Sequence, residues 1–270
     1  FISCAEKLQV GHPPGAPFYM LVGNLFTQFA SEASQVSWLV NFLNALLSAG
    51  CILFLFWSIT RLVRSLIINE EQNLSTMDVI VILGSGFVGA LAYTFSDTFW
   101  FSAVEGEVYA FSSFLTALVF WMILRWQDES DSVYGDRWII LIAYIIGLSI
   151  GVHLLNLLCI PAIVLVFYYQ KYHAISFKGV AAAIVISGLL IVFILFVYIP
   201  GIADMGGCFE LLFVNVFGLP FHTGLIVFLA LTFLVLVGAI YRFRKRMLHT
   251  SLWCLLMLTV GYTTYAVILI

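Results

Sequence analysis

Charged side chains are scarce in this sequence. Asp, Glu, Lys and Arg together make up 9% of its residues, whereas ordinary soluble domains carry roughly 25%. Hydrophobic residues make up 63% of the chain, and its mean hydropathy is +1.10. A chain with so little charge cannot cover a water-facing surface. The composition therefore excludes a soluble globular domain and indicates a membrane protein.

Motifs that bind nucleotides or metal ions are also missing. The sequence contains no Walker pattern, and its one G-x-G-x-x-G match, residues 84–89, lies inside an apolar run and not between a strand and a helix, so nucleotide phosphates have no recognisable cradle. Its five cysteines show no C-x-x-C spacing of the kind that holds zinc. On the predicted cytoplasmic side of the membrane, the polar loops between apolar runs are short and leave no room for a cytosolic catalytic domain. Any chemistry must therefore occur within the membrane or at its other face.

Long apolar runs recur along the whole chain, and each is long enough for a membrane-spanning helix. We predict an all-α, polytopic transmembrane helix bundle of about eight spans. The fourth and fifth spans form one apolar block, which we expect to hinge near Gly151-Val152-His153; one tilted span in their place would give seven crossings. The predicted spans are residues 37–64, 77–95, 108–125, 138–152, 153–169, 179–200, 224–241 and 251–270.

The positive charges favour eight spans. Ten of the 11 Lys and Arg residues fall on one side of the membrane if the block hinges, and only Lys7 falls on the other. The positive-inside rule then assigns the ten to the cytoplasm. Residues 1–36 and the loops around 97–107, 152–153 and 201–223 are expected outside. Because the segment before the first span is already external, we expect one transmembrane domain over 1–270 that continues beyond both ends.

Two unusual features lie in the predicted first outer segment. Residues 11–17 hold three prolines and two glycines around His12, which predicts a rigid, non-helical turn. Residues 18–30 follow with apolar side chains at helical spacing, which predicts a helix lying on the membrane surface. A plain connecting loop is the alternative to a functional role for His12.

Other polar residues stand at the ends of predicted spans. Glu105 and Glu107 precede the third span, with no Lys or Arg nearby in sequence; they either face water at the lipid boundary or act in a site. His153 and Asn156 are spaced to share one helix face, where they bind an anionic group or make helix–helix hydrogen bonds. Residues 201–223 form either a lid over a groove or an ordinary interfacial loop.

Three of these motifs, in this order, carry a resemblance to a known family. They are His12-Pro13-Pro14-Gly15, the step Glu107-Val108-Tyr109 at the mouth of a span, and the later His153. Across most of residues 1–170 the chain resembles the protein O-mannosyltransferase-like family, which belongs to the GT-C superfamily of membrane glycosyltransferases. The His-Pro-Pro-Gly turn is the most specific of the three motifs.

The resemblance implies an inverting transferase with a GT-C-like membrane domain. Such enzymes take a sugar, usually mannose, from a polyprenyl-phosphate carrier and pass it to Ser or Thr of an acceptor protein on the outer side. Membrane lipid is then a further partner, nucleic acid is not, and the location is a bacterial inner membrane with a periplasmic active site. A divalent metal stays open, because some GT-C relatives with oligosaccharide donors use one.

The resemblance also assigns candidate residues. The family's main acidic pair comes immediately before the segment that begins here at Phe1, so the principal base lies outside this sequence. Glu107 and Glu105 are then the catalytic candidates as a second acidic site. The candidates for binding the substrate or carrier are His12, His153, Lys7 and Asn156.

Two other classes of function stay open. A transporter or channel would suit the many spans, but it predicts inverted repeats and charges near mid-membrane, whereas the acidic residues here cluster at one rim. A non-catalytic subunit that binds the lipid carrier would share the groove and tolerate loss of the carboxylates.

Overall fold

The computed structural model describes residues 1–11, 15–67, 74–132, 134–172, 174–243 and 246–269. Within these ranges the chain is helical and contains no strand, which confirms the predicted all-α fold. Its α-helices are α1 (Ile2–Lys7), α2 (Pro17–Thr27), α3 (Ala33–Ile67), α4 (Thr76–Thr94), α5 (Asp97–Val104), α6 (Val108–Glu129), α7 (Asp136–Ile150), α8 (Ile160–Lys171), α9 (Phe177–Phe193), α10 (Ile199–Leu211), α11 (Thr223–Arg242) and α12 (Arg246–Leu269). Residues Leu154–Cys159 form a 3₁₀ helix, and Ile194–Tyr198 and Leu212–Val216 form π-helical turns.

Each predicted span is helical over most of its described residues. Within the described ranges, six helical segments are long and apolar enough to cross a membrane, namely α3, α4, α6, Leu154–Lys171, Phe177–Val216 and α11. The two remaining predicted spans correspond to α7, with 15 residues, and α12, with 24 residues. The chain is therefore a polytopic membrane protein, as its hydropathy indicates.

The apolar block at 138–169 is interrupted where the hinge was expected. Helix α7 ends at Ile150, and the backbone N–H groups of Val152 and His153 both turn back to the carbonyl of Ser149, at 2.9 and 2.8 Å. His153 is then fully extended, with φ −163°, before the 3₁₀ helix begins at Leu154. These bonds satisfy the free carbonyl at the helix end, so the chain can change direction inside an apolar stretch.

The first compact unit comprises Phe1–Arg125 and is built around α3 and α6. These helices run parallel: Gly50 lies against the ring of Phe114, and further along both helices the rings of Phe54 and Trp121 are 5.3 Å apart. In the apolar 18-residue stretch of α6, half of the residues are buried inside the protein, compared with 17% in the corresponding stretch of α4. Helix α6 is therefore the central helix of this unit, whereas α4 presents most of its surface to lipid.

The second compact unit comprises Trp126–Ile270, and its tightest contact joins α7 to α12. The Cα of Gly261 lies 3.1 Å from where a Cβ on Gly147 would stand, so the two backbones touch. The Thr250 hydroxyl donates to the Asp136 carboxylate at 2.8 Å near the start of both helices. Small residues at a helix crossing permit this close approach, which gives van der Waals contact in place of a hydrophobic driving force.

The predicted outer loop at 201–223 is wrong, because most of it is helical. Residues Phe177–Val216 form one continuous helical segment of 40 residues, and the irregular chain is confined to 217–222. Pro200 lacks an N–H and would clash with the carbonyl four residues earlier, and the π-helical turn Ile194–Tyr198 just before it loosens the ladder there. The glycines that suggested a loop do not break the helix, since helix keeps every backbone group paired in an apolar setting.

Glu210 connects the end of this segment to α11. Its carboxylate accepts hydrogen bonds from the backbone N–H groups of His222 and of Leu225, the latter at 3.0 Å. His222 itself supplies no side-chain cap and has a left-handed backbone, with φ 69°. The carboxylate therefore satisfies the free N–H groups at the start of α11, as an N-cap residue does in other helices.

We expect Glu210→Ala to lower the melting temperature of the purified protein, because it leaves those N–H groups without a partner. The melting temperature of Glu210→Gln should lie between those of Glu210→Ala and the wild type, since an amide oxygen accepts one such bond but carries no charge. Asp204→Ala, at an exposed position of the same helix, is the matched control. Fluorescence-detected gel filtration after heating measures the order, and equal melting of Glu210→Ala and Asp204→Ala would contradict the capping role.

Candidate functional site

Helices α1 and α2 form a small platform at one end of the first unit. The Asn24 side-chain amide donates to the carbonyls of Ala5 and Glu6, at 3.0 and 2.9 Å. Gly23 lies directly against Ala5, which is fully buried. The helix predicted over 18–30 is thus confirmed as α2, and its buried face is Tyr19, Met20, Gly23 and Thr27.

The two predicted catalytic carboxylates belong to a tight turn between α5 and α6, which we call the acidic turn (Glu105-Gly106-Glu107). The Glu107 N–H donates to the Glu105 carbonyl at 2.8 Å, which closes a three-residue γ-turn. The Asn44 side-chain amide on α3 donates to the carbonyls of both glutamates, at 2.9 Å to Glu107. A Cβ on Gly106 would lie 2.7 Å from Ile2, so only glycine fits without displacing α1.

An open groove of about 590 Å³ lies above the acidic turn. Glu105 is exposed and Glu107 half-buried in it. The structural bonds of this turn use backbone carbonyls, and neither carboxylate makes a hydrogen bond or ion pair with another described residue. Both carboxylates are therefore available to accept hydrogen bonds from a ligand's hydroxyl groups. The groove is lined by Phe1, Ile2, Ser3, Asn41, Val104 and the acidic turn.

A row of buried polar atoms continues from the groove into the unit. Asn41, Asn44 and Ser48 occupy one face of α3, and Ser112 lies one turn into α6 beyond Val108. Buried polar atoms without a partner are rare in native proteins and indicate bound water or a ligand. Such atoms here are Asn41 Oδ1, Asn44 Oδ1, Ser48 Oγ, Ser112 Oγ and the Tyr19 hydroxyl.

Tyr19 links α2 to the acidic turn electrostatically. Burial raises the pKa of its phenol to about 12, the neighbouring Asn44 amide lowers it, and the negative charge of Glu107 raises it. The hydroxyl is close enough to Asn44 for this effect, although no hydrogen bond of normal geometry joins them. Tyr19 therefore keeps its proton at physiological pH and is fully buried.

None of the remaining predicted binding residues is among those that line the groove. His12 lies outside the described residues. Lys7 is exposed at the end of α1 and does not line the groove. His153 and Asn156 belong to the second unit.

The prediction that His153 and Asn156 share a helix face is wrong. His153 precedes the 3₁₀ helix, and its Nδ1 accepts from the Leu155 N–H at 3.2 Å as an N-cap. Asn156 is fully buried within that helix, where its Oδ1 accepts from the Cys159 thiol at 3.4 Å and its Nδ2 has no hydrogen-bond partner among the described residues. The break after α7 puts the two side chains in different local structures, which helical spacing does not anticipate.

Sequence analysis missed Asn44, Asn41 and Tyr19. Asn41 and Asn44 lie within an apolar run and were absorbed into the first predicted span. A signal was present, because polar residues at 41, 44 and 48 are spaced for one helix face, and such a stripe inside a span marks a helix contact or a site. Nothing in the sequence marks Tyr19 among the other aromatic residues.

Across the parts of the chain that the structure describes, no three His, Cys, Asp or Glu side chains lie close enough to hold one metal ion. The acidic turn supplies two carboxylates, whereas Mg²⁺ is commonly bound by one or two carboxylates together with water and substrate phosphates.

Two relatives are similar to parts of the chain. The protein O-mannosyl-transferase tmem260 of Dictyostelium discoideum is 22% identical over 122 residues, covering 45% of this chain and 13% of the relative. The protein O-mannosyl-transferase TMEM260 of Mus musculus is 25% identical over 149 residues, covering 55% of this chain and 19% of the relative. The chain thus matches less than a fifth of the length of each relative. No solved structure matches it.

A family model covers a larger part of the chain. The family described as "Protein O-mannosyl-transferase TMEM260 N-terminal domain" matches residues 1–176. The match includes α1, α2 and the acidic turn, together with α3 and the buried polar row beneath the groove. Since the matched region is more than half of the 270 residues, the chain belongs to the family of the N-terminal domain of the protein O-mannosyl-transferase TMEM260.

Proposed function

We propose that this chain forms the membrane part of a protein O-mannosyltransferase of GT-C type. It moves a sugar, most simply mannose, from a polyprenyl-phosphate carrier to Ser or Thr of an acceptor protein. The site is the groove above the acidic turn, on the outer side of the membrane. The charge distribution supports this orientation, because ten of the 11 Lys and Arg residues fall on the opposite side.

The observation that carries the proposal is the pair of carboxylates without structural partners. Glu105 and Glu107 are fixed through their backbone carbonyls, so the chain positions the turn and leaves both side chains for a ligand. Ionisable groups at the end of a membrane span are costly unless paired or hydrated, and a structural need for these two is not apparent in the described residues. The relatives' names supply the class of reaction, protein O-mannosylation.

The reaction needs few groups from this chain. A bond forms between the acceptor hydroxyl oxygen and C1 of the sugar as the bond from C1 to the carrier's phosphate oxygen breaks. The polyprenyl phosphate leaves with the electron pair, and the hydroxyl proton passes to a carboxylate base. Glu107 orients the acceptor hydroxyl by accepting its hydrogen bond. Glu105 accepts hydrogen bonds from the ligand's hydroxyl groups at the exposed rim of the groove.

The proposal also keeps His12, Lys7, His153 and Asn156 as the candidate residues for binding the carrier, as the family resemblance implies. In a bacterial cell the location is the inner membrane, with the groove in the periplasm.

A transfer assay on the natural full-length protein tests the function. The protein, in lipid nanodiscs, is mixed with polyprenyl-phosphate-mannose and a Ser/Thr-rich acceptor peptide, and the peptide mass is followed. A gain of one hexose per modified residue is expected. No transfer from any polyprenyl-linked sugar, together with solute flux in proteoliposomes, would replace the proposal with transport. Carrier binding without transfer or flux would leave a non-catalytic binding subunit.

A further inference from the structure

The position of the Glu107 carboxylate is determined by α3 more than by its own loop. The acidic turn has only one internal hydrogen bond, from the Glu107 N–H to the Glu105 carbonyl. The Asn44 side-chain amide, which belongs to α3, donates hydrogen bonds to the carbonyls of both Glu105 and Glu107. A γ-turn held by a single internal bond is a weak structure on its own, so the external amide decides where α6 begins.

Asn44 is well suited to hold the turn firmly. It is fully buried and stands in the middle of a 35-residue helix, so its own backbone has little freedom. A primary amide has two N–H groups, and here the Asn44 Nδ2 donates to the carbonyls of both Glu105 and Glu107. A hydroxyl offers one donor and an apolar side chain offers none, so neither can replace the amide.

Two neighbours restrict the turn further. Gly106 is enclosed by Ile2 and by Asn41 Oδ1, which would lie 2.7 and 3.2 Å from a Cβ at this position. The Asn44 amide and the charge of Glu107 both affect the pKa of Tyr19, so the three groups interact electrostatically. The Asn44 amide is the member of this set that bonds directly to the turn.

We propose that Asn44 is a positioning residue, which holds the Glu107 carboxylate in its productive place by binding the carbonyls on both sides of Gly106. This inference rests on the proposed function for its catalytic consequence. Asn44 does not touch the acceptor or the carrier; it acts through the backbone of the acidic turn. The carbonyl of Glu107 accepts a hydrogen bond from Asn44, and its side chain is attached to the same backbone. The position of the Glu107 carboxylate therefore depends on that hydrogen bond.

The first test is Asn44→Leu, which removes both donors at similar size. We expect kcat for transfer to fall about 10²-fold, since a misplacement of about 1 Å has this effect, while KM for the mannosyl carrier changes little. Ser58→Ala is the control, because Ser58 is buried on the same helix and bonds only to its own Phe54 carbonyl at 2.8 Å. Its kcat should equal that of the wild type.

A double-mutant cycle separates positioning from general destabilisation. If Asn44 acts through Glu107, Asn44→Leu should have almost no further effect on kcat in a Glu107→Gln background. A full, multiplicative loss in that background would overturn the proposal, as would a wild-type kcat for Asn44→Leu alone.

A second variant applies if Asn44→Leu does not accumulate as a folded protein. Asn44→Asp presents only acceptors to the two carbonyls when ionised and regains one O–H donor when protonated. Its kcat, divided by that of the wild type at the same pH, should therefore rise as the pH falls. A ratio that stays constant with pH would count against positioning by hydrogen bonds.

A measurement without catalysis keeps the inference separate from the proposed function. Glu107→Cys is introduced with Cys4 and Cys208 replaced by Ser, and its rate of labelling by a small methanethiosulfonate is measured with Asn44 and with Asn44→Leu. The rate should change several-fold when the amide is lost. An unchanged rate would refute the positioning role, even if transfer is observed; a changed rate without any transfer would refute the proposed function alone.

Discussion

Gly147→Leu is expected to prevent the second unit from folding. A Cβ on Gly147 would overlap the carbonyl oxygen of Leu258, and one on Gly261 would overlap the carbonyl of Tyr144 and lie 2.7 Å from the Leu148 nitrogen. Each glycine therefore faces main chain of the other helix, which cannot move aside as a flexible side chain does. Overpacking of this kind costs about 3 kcal/mol or more, a large part of the 5–15 kcal/mol that stabilises a typical protein.

The matched control uses glycines with open space beside them. Gly238→Ala and Gly188→Ala add a methyl group where no atom lies within 4 Å, on helices of the same unit. Both should melt at or slightly above the wild-type temperature, because Ala is the better helix former by about 1 kcal/mol. The melting temperature of Gly147→Ala should lie between those of these two variants and that of Gly147→Leu. Wild-type yield and melting for Gly147→Leu would show that the helices are not packed this closely.

Glu107→Gln is expected to lower kcat for mannosyl transfer by about 10²-fold, the effect of misplacing a reacting group by about 1 Å, because the amide no longer offers a charged acceptor that orients the acceptor hydroxyl. The melting temperature should not change, because the hydrogen bonds that hold this residue use its backbone N–H and carbonyl. The amide also has nearly the same size and shape as the carboxylate. The change therefore isolates the charge of the side chain from its role in the fold.

Glu105→Gln serves as the comparison within the same turn. Glu105 is bound in the same way through its carbonyl, but its side chain is exposed at the rim of the groove. Its loss of kcat should be smaller than that of Glu107→Gln. Steady-state transfer rates and gel-filtration profiles of both variants check the order. Full activity of Glu107→Gln in a folded protein would remove Glu107 from the site.

Hydropathy and charge were sufficient to predict the long apolar helices of the chain, but not α1, α5 or α10, of which the last two fall mostly in segments predicted as loops. The predicted spans 77–95 and 224–241 agree with α4 and α11 to within a residue at each end. The hinge near Gly151-Val152-His153 was also found, because only a break there keeps the cations on one side. These features depend on local composition, which one sequence shows, and on the general thickness of a membrane, which sets the length of a span.

Features that depend on neighbouring helices were not predictable in the same way. The glycines at 201–223 suggested a loop, but glycine breaks a helix only when water or another partner can satisfy the freed backbone groups. Asn44 looked like an ordinary polar residue in a span, because its two acceptors lie 61 and 63 residues away in sequence. Periodicity gives the face on which a side chain lies, but not the group that it meets there.

The continuous helical segment Phe177–Val216 has a consequence for the choice of host membrane. Its 40 residues extend ~60 Å, about twice the ~30 Å hydrocarbon thickness, and only 11% of its apolar window is covered by protein. The excess length is accommodated by tilting, by bending at the π-helical turns, or by extension of the part that carries Asp204 and Glu210 beyond the hydrocarbon. Acyl-chain length is therefore an experimental variable for this protein, on the same footing as pH or salt, and thin and thick nanodiscs will hold α10 at different depths.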